Sequence, residues 1–188
     1  MALDRGPLLL ARARGAIAEE LGLRPPPAGS APWLLEPGAT FVTLHLQGAL
    51  RGCVGTLEAW RPLGEDVAAN ACAAAFHDAR FAPLARSEFP GIDLEVSLLS
   101  ALDPIPCRDQ DDLLDRLRPG VDGLVLAWGG RRSVFLPQVW EQLPNPAEFL
   151  AHLKLKAGWS RTFWDEDLLA ARFSVAAFRE PHPAGSRS

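Results

Sequence analysis

The sequence predicts an α+β fold with mainly antiparallel sheet flanked by helices. Short runs alternate apolar and polar residues and are joined in pairs by glycine turns, which marks hairpins. Longer stretches of helical spacing lie between them and open on proline or acidic residues. Hairpins outnumber plausible parallel crossovers, which favours α+β with mainly antiparallel sheet. At 188 residues and 48% hydrophobic content the chain fits one large domain or two small lobes with an ample core.

Residues 3–22 set Leu10, Ile17 and Leu21 among alanines at helical spacing, and Gly22 with the following RPPPAGSAP stops them. ATFVTLHLQG reads as a strand running into Gly48, and LRGCVGTLEA as its partner. RPLGEDVAANACAAAFHD carries Glu65 and Asp66 in its first turn and runs as an alanine-rich helix to about His77, its small side chains allowing close packing. IDLEVSLLS sets Ile92, Leu94, Val96 and Leu98 against Asp93, Glu95 and Ser97, a half-buried strand. DQDDLLDRLRPG is a short helix with a Pro-Gly stop, and DGLVLAWGGRRSVFLP is a hairpin turning at GGRR. LPQVW ends that strand, so Gln138 opens a helical turn whose amide donors suit an anion. NPAEFLAHLKLKAG is a helix buried along Phe149, Leu150, Leu153 and Ala157, and ARFSVAAFRE is a last strand. Residues 181–188, PHPAGSRS, are expected to be a flexible tail.

With 19 basic and 23 acidic residues, there is no general electrostatic reason to bind nucleic acid or an anionic membrane. No run approaches a bilayer span, and no secretory signal precedes the first helix, so a soluble, cytoplasmic protein is expected. The odd set Cys53, Cys72 and Cys107 argues for reduced thiols, and the four histidines show no zinc spacing, so no metal or cofactor is predicted.

LRGCVGT, residues 50–56, raises the functional question. A two-residue hairpin loop would turn Cys53 and Arg51 together onto the apolar face of Val42, Leu44 and Leu46, burying an unpaired charge. A three-residue loop, Leu46-Gln47-Gly48, pairs Phe41 with Cys53 and Leu44 with Leu50. It sends Leu50 and Val54 to the core and Arg51 and Cys53 to the face of Thr43 and His45. That register is preferred. It sets Arg51 about 7 Å from Cys53, where a guanidinium favours the thiolate, and leaves His45 roughly 13 Å away, too far to act as its base. Gly52 and Gly55 leave room for another backbone or a ligand. The bland alternative is a small packed cysteine beneath a helix.

HDARF leaves the alanine-rich helix. Arg80 is a candidate clamp for a carboxylate or phosphate, or else simply the partner of Asp78 in a turn, and Phe81 is expected as a core plug. Glu95 is a candidate acid, base or counter-ion for Arg51 if its strand adjoins the hairpin; the simpler expectation is a solvated side chain.

LRGCVGT, AAAFHDARFAPL, EVSLLS, PGVDGLVL, FLPQVWEQL and FLAHLKLKAG occur in the order and spacing of the AMMECR domain family, which the chain resembles over nearly its whole length. Val54 stands where the family motif has isoleucine, and His77 where arginine or lysine is common. The resemblance implies one AMMECR-type domain over residues 1–180, folded as two closely packed lobes. It also implies component A of an AmmeMemoRadiSam-type system, with Memo-like and radical-SAM proteins as partners, and it names no reaction. On this reading Cys53 is the candidate nucleophile or redox group and Glu95 a catalytic candidate. Arg51, Gly52, Gly55, Asp78, Arg80 and Gln138 are then candidates to bind a small polar or anionic ligand. The alternative is a non-catalytic adaptor for the same partners.

Overall fold

The computed structural model describes residues 5–181. The tail expectation therefore lies, from His182 onward, outside the described residues. In chain order these residues hold α1 (Gly6–Glu20), β1 (Thr40–Leu46), β2 (Ala49–Gly55), α2 (Leu63–Phe76), β3 (Ile92–Leu99), β4 (Asp103–Pro104), α3 (Gln110–Arg116), β5 (Gly123–Trp128), β6 (Arg131–Phe135), α4 (Pro146–Lys156), β7 (Leu169–Phe173) and β8 (Val175–Arg179). The fold is α+β, with two four-stranded sheets ordered β2-β1-β3-β8 and β4-β7-β5-β6. The first belongs to a unit that ends at Leu99 and resumes at Ala176, the second to a unit spanning Ser100–Val175.

In the first unit Val42 and Leu44 alternate with Thr43 and His45, so β1 buries one face. Leu94 and Val96 of β3 continue that face, and Leu9, Ala13 and Ile17 of α1 with Val67, Ala71 and Ala74 of α2 close over it. The β1–β2 turn corrects the expected three-residue loop. Only Gln47 and Gly48 lie between paired residues, both with positive φ (53° and 80°), the twist that a two-residue hairpin needs. Thr43, not Phe41, faces Cys53. A β-bulge removes the conflict that had favoured the longer loop: Leu44 pairs with Gly52 and His45 with Leu50, so Arg51 is the extra residue and leaves the ladder. Leu50 lands beside His45, 42% exposed, instead of in the core.

The glycines of the motif have a structural use. A Cβ on Gly52 would come within 3.0 Å of the Ala74 carbonyl oxygen, so α2 lies directly on the bare backbone of β2. A Cβ on Gly55 would strike the Phe41 ring opposite it. The room expected for a ligand at these positions is thus filled by the protein itself.

At its other end α2 is tied down by a buried carboxylate. Asp66, fully buried, accepts from the Thr40 N–H (2.8 Å), the Thr40 and Thr56 hydroxyls (2.7 and 2.6 Å), Asn70 Nδ2 (2.9 Å) and Arg61 Nε (2.8 Å). Each of these donors would be costly to bury unpaired.

In the second unit β5 and β6 turn at Gly129–Gly130, both with positive φ, as GGRR predicts. Asn145 caps α4 by accepting from the amides of Ala147 and Glu148. Trp140 lies flat on Phe149, with centroids 3.7 Å apart, and its Nε1 donates to the Asp122 carbonyl. ARFSVAAFRE is not one strand: the ladder breaks at Ser174, and β7 and β8 enter different sheets.

Gly52→Ala must push α2 off the sheet. It should lower stability by about 3 kcal/mol, at the upper end for overpacking a core, measured by urea unfolding. Asp66→Ala should cost about 3–5 kcal/mol, the range for removing one partner of a buried charge, in the same assay.

Candidate functional site

Strand alternation turns Cys53, Thr43 and Glu95 to the face of the first sheet away from α1 and α2. Cys53 pairs with Thr43 across β2 and β1, and Thr43 pairs with Glu95 across β1 and β3. Arg179 of β8 extends the row by an ion pair to Glu95 at 2.5 Å. Cys53 is half-buried, and the Thr43 hydroxyl donates to its Sγ at 3.3 Å. Glu95 is buried, against the expectation of a solvated side chain, and its counter-ion is Arg179 rather than Arg51. The Glu95 side chain is 7% exposed and that of Arg179 75%.

β2 is an edge strand, and its outward backbone groups at Cys53 are capped by the residues that leave α2. The Cys53 N–H donates to Asp78 Oδ2 (2.9 Å), and Arg80 Nη2 donates to the Cys53 carbonyl (3.3 Å). Arg80 also grips Asp78 through Nε (2.9 Å) and Nη2 (2.6 Å). The pair stands where a neighbouring strand would bond, which closes the edge and fixes the backbone of the cysteine. The Arg80 guanidinium, followed by the Cys53 N–H, holds the Asp78 carboxyl far below the usual carboxylate range.

Arg51 does not lie free beside the thiol. Its Nε and Nη2 donate to Glu88 (2.9 and 3.0 Å), and Nη2 also reaches the Ala82 carbonyl (2.9 Å). This corrects its expected roles as activator and ligand contact. The Arg51 hydrogen bond pulls the Glu88 carboxyl below its ordinary range. Phe81 is a half-buried ring flanked by the Arg51 and Arg80 guanidiniums, 5.9 and 5.5 Å from its centroid, rather than a core plug. Asp78 is likewise occupied, by the Cys53 N–H and the Arg80 guanidinium. Gln138 stands in the second unit, exposed on a five-residue 3-10 helix that is too short to gather a nest of amide donors.

A hollow of about 340 Å³ opens beside the row, lined by His45, Asp93, Glu95, Arg179 and Glu180 among others. Glu180 is held by Arg14 through both carboxylate oxygens (2.6 Å each) and by the Leu94 N–H (3.0 Å). Among the described residues no group of three or more His, Cys, Asp or Glu is placed to hold a metal, and no helix is long and apolar enough to cross a membrane. Thr43 and Arg179 were not singled out from the sequence. Thr43 was visible as a face-mate of the cysteine; Arg179 carried no signal beyond its place in a strand.

Because the folded carboxyls of Asp78 and Glu88 titrate below their unfolded values, the stability they contribute is present above the unfolded carboxylate range, about pH 4. It is lost as pH falls through the folded values. Asp78→Asn should therefore be less stable at neutral pH and decline less on acidification below about pH 4, read from thermal unfolding across pH.

Comparison with known proteins agrees with this architecture. The AMMECR1 family profile matches residues 10–178. A Thermofilum pendens protein is 34% identical over 200 aligned residues, covering 98% of this chain and 94% of that protein. A Saccharolobus islandicus protein is 38% identical over 190, covering 96% and 84%. The crystal structure of a Pyrococcus horikoshii protein superposes with a TM-score of 0.80 at 33% identity, covering 97% of this chain and 94% of that one. On the profile match, the full-length relatives and the shared fold, the chain belongs to the AMMECR1 family.

Proposed function

We propose that the outer face of the first sheet is a binding site for a small polar or anionic ligand, with Cys53 as its nucleophilic or redox group. The chain would serve as component A of a cytoplasmic AmmeMemoRadiSam-type system. The observation that carries this is the row Cys53, Thr43 and Glu95, in register across three strands on the face away from α1 and α2 and extended to β8 by the Glu95–Arg179 ion pair. A thiol, a hydroxyl donor, a carboxylate and a guanidinium in one line form a set of reactive and orienting groups that packing alone does not require. The thiol's backbone is fixed by Asp78 and Arg80, so its side chain is held in one place for a ligand. Family membership supports the system-level assignment, with Memo-like and radical-SAM proteins as partners.

A second reading, the non-catalytic adaptor, is favoured by one feature. Leu35 and Trp60 are 78% and 68% exposed on two loops tied together by a Pro37–Pro62 bridge. Exposed apolar side chains on a rigid double loop suit a protein partner.

Alkylation by iodoacetamide across pH, with Cys53→Ser as the control, separates the two readings. Cys53 should react several-fold faster than N-acetylcysteine at neutral pH, and Thr43→Val, which removes the hydroxyl donor, should change that rate with little change in stability. A Cys53 no faster than the free thiol ends the proposal. If the adaptor reading holds, Leu35→Ser with Trp60→Ser should abolish capture of the Memo-like or radical-SAM protein at micromolar concentration, and Cys53→Ser should leave it intact.

A further inference from the structure

The first sheet carries two arginines built alike. Arg80 is anchored on Asp78, whose side chain is 7% exposed, and Arg179 on Glu95, also 7% exposed, while the arginines themselves are 56% and 75% exposed. In each pair the carboxylate is sunk into the protein and the guanidinium stands over it, facing solvent. A guanidinium anchored this way has one edge of its fork committed and its orientation preset, so binding an anion with the remaining N–H groups costs little further ordering. Arg80 touches the backbone of Cys53 at one end of the polar row, and Arg179 closes the other end.

The geometry points to a two-ended anion clamp. The ligand class is an extended small molecule with a carboxylate or phosphate group at each end, one on Arg80 and one on Arg179, its middle crossing Cys53 and Thr43. This deepens the reading of the Cys53 face as the ligand site and rests on it. Arg80 stands just outside the β2 edge and the Arg179 guanidinium lies on Glu95, two strands in from β2, so the two ends are separated by roughly two to three strand spacings, on the order of 10–14 Å. A single small anion engages one end only. A molecule that spans both gains from the second contact at high effective concentration, and that gain is greatest when its length matches the span.

Calorimetric titration of the intact protein with succinate, adipate, sebacate and the monocarboxylate decanoate at low salt tests this. Sebacate should bind about tenfold or more tighter than succinate or decanoate. Arg179→Ala, at an exposed position, should reduce sebacate to the affinity of decanoate, and Arg80→Ala should do the same. Arg179→Lys should retain part of the gain, because it keeps the charge and loses the fork. Affinity that ignores chain length, or that survives Arg179→Ala, overturns the clamp. Alkylation of Cys53 with sebacate bound tells failure of the clamp from failure of the thiol site. Length-dependent binding that slows alkylation supports both. The same binding with an unchanged rate supports the clamp and counts against the thiol site. A fast-reacting Cys53 with no length dependence removes the clamp alone.

Discussion

The contact between the Ala74 carbonyl and the bare Cα of Gly52 sets the distance of α2 from the sheet, and the groups around Cys53 take their places from it. The alanine-rich face of α2 can lie so low only because neither partner presents a side chain at that point. Where α2 ends, Asp78 then falls within hydrogen-bonding reach of the Cys53 N–H. Where it begins, Asp66 meets the Thr40 amide of β1 and the Thr56 hydroxyl just beyond β2. A carboxylate in the first turn also sits favourably at the positive end of the helix. The helix is therefore pinned to the hairpin by Asp66 at its start, and at its end by the Ala74 contact with Gly52 and by Asp78 just beyond it.

The same physical device recurs without any link to Cys53. Phe41 faces Gly55 in the first sheet and Phe173 faces Gly123 in the second, and in each pair a Cβ on the glycine would strike the ring. An aromatic laid over a cross-strand glycine covers backbone that the glycine would otherwise expose, which offsets the entropic cost of glycine in a strand. The recurrence separates two properties of the LRGCVGT segment. Its glycines are explained by packing in both directions, toward α2 at Gly52 and toward Phe41 at Gly55. The thiol, the hydroxyl and the charges are not explained in that way.

Most of the element order was legible because it rests on local signals: the Asn145 cap, the Gly129–Gly130 turn, and the acidic first turn and small residues of α2. The hairpin register was not. Face alternation allowed one loop length that buried Arg51 and another that did not, and the structure took a third solution, a tight turn with Arg51 ejected at a bulge. A bulge leaves no local signature when a long side chain rather than a glycine occupies it. Ser174 shows a similar limit: its immediate neighbours Phe173 and Val175 both favour strand, and only tertiary pairing divides β7 from β8. Residue type hides the burial of Glu95 and Lys154, because a charged side chain reads as solvated. Glu95 stands on the polar face of its strand and is buried beneath Arg179, whereas Lys154 shares the buried helix face of Leu150 and Ala157 and reaches Gln110.

Net charge is a guide to possible ligands, and burial changes what it implies. The chain carries −4 overall. Yet Asp78, Glu95 and Asp122 have side chains at most 7% exposed, while their partners Arg80, Arg179 and Arg118 are 56%, 75% and 57% exposed. A charge withdrawn from water and matched by its own arginine contributes little to the field that an approaching solute meets, because the pair acts at a distance as a dipole. The outward pole of that dipole is the guanidinium. A face built from such pairs presents cations on a chain with an excess of acids, so the sign of a ligand is set by which member of each pair is buried. In the Asp78–Arg80 and Glu95–Arg179 pairs the acid lies beneath and the arginine above, the arrangement on which the proposed anion clamp rests, whereas in the Arg51–Glu88 pair beside Cys53 the arginine is the more buried member, 12% exposed against 27%.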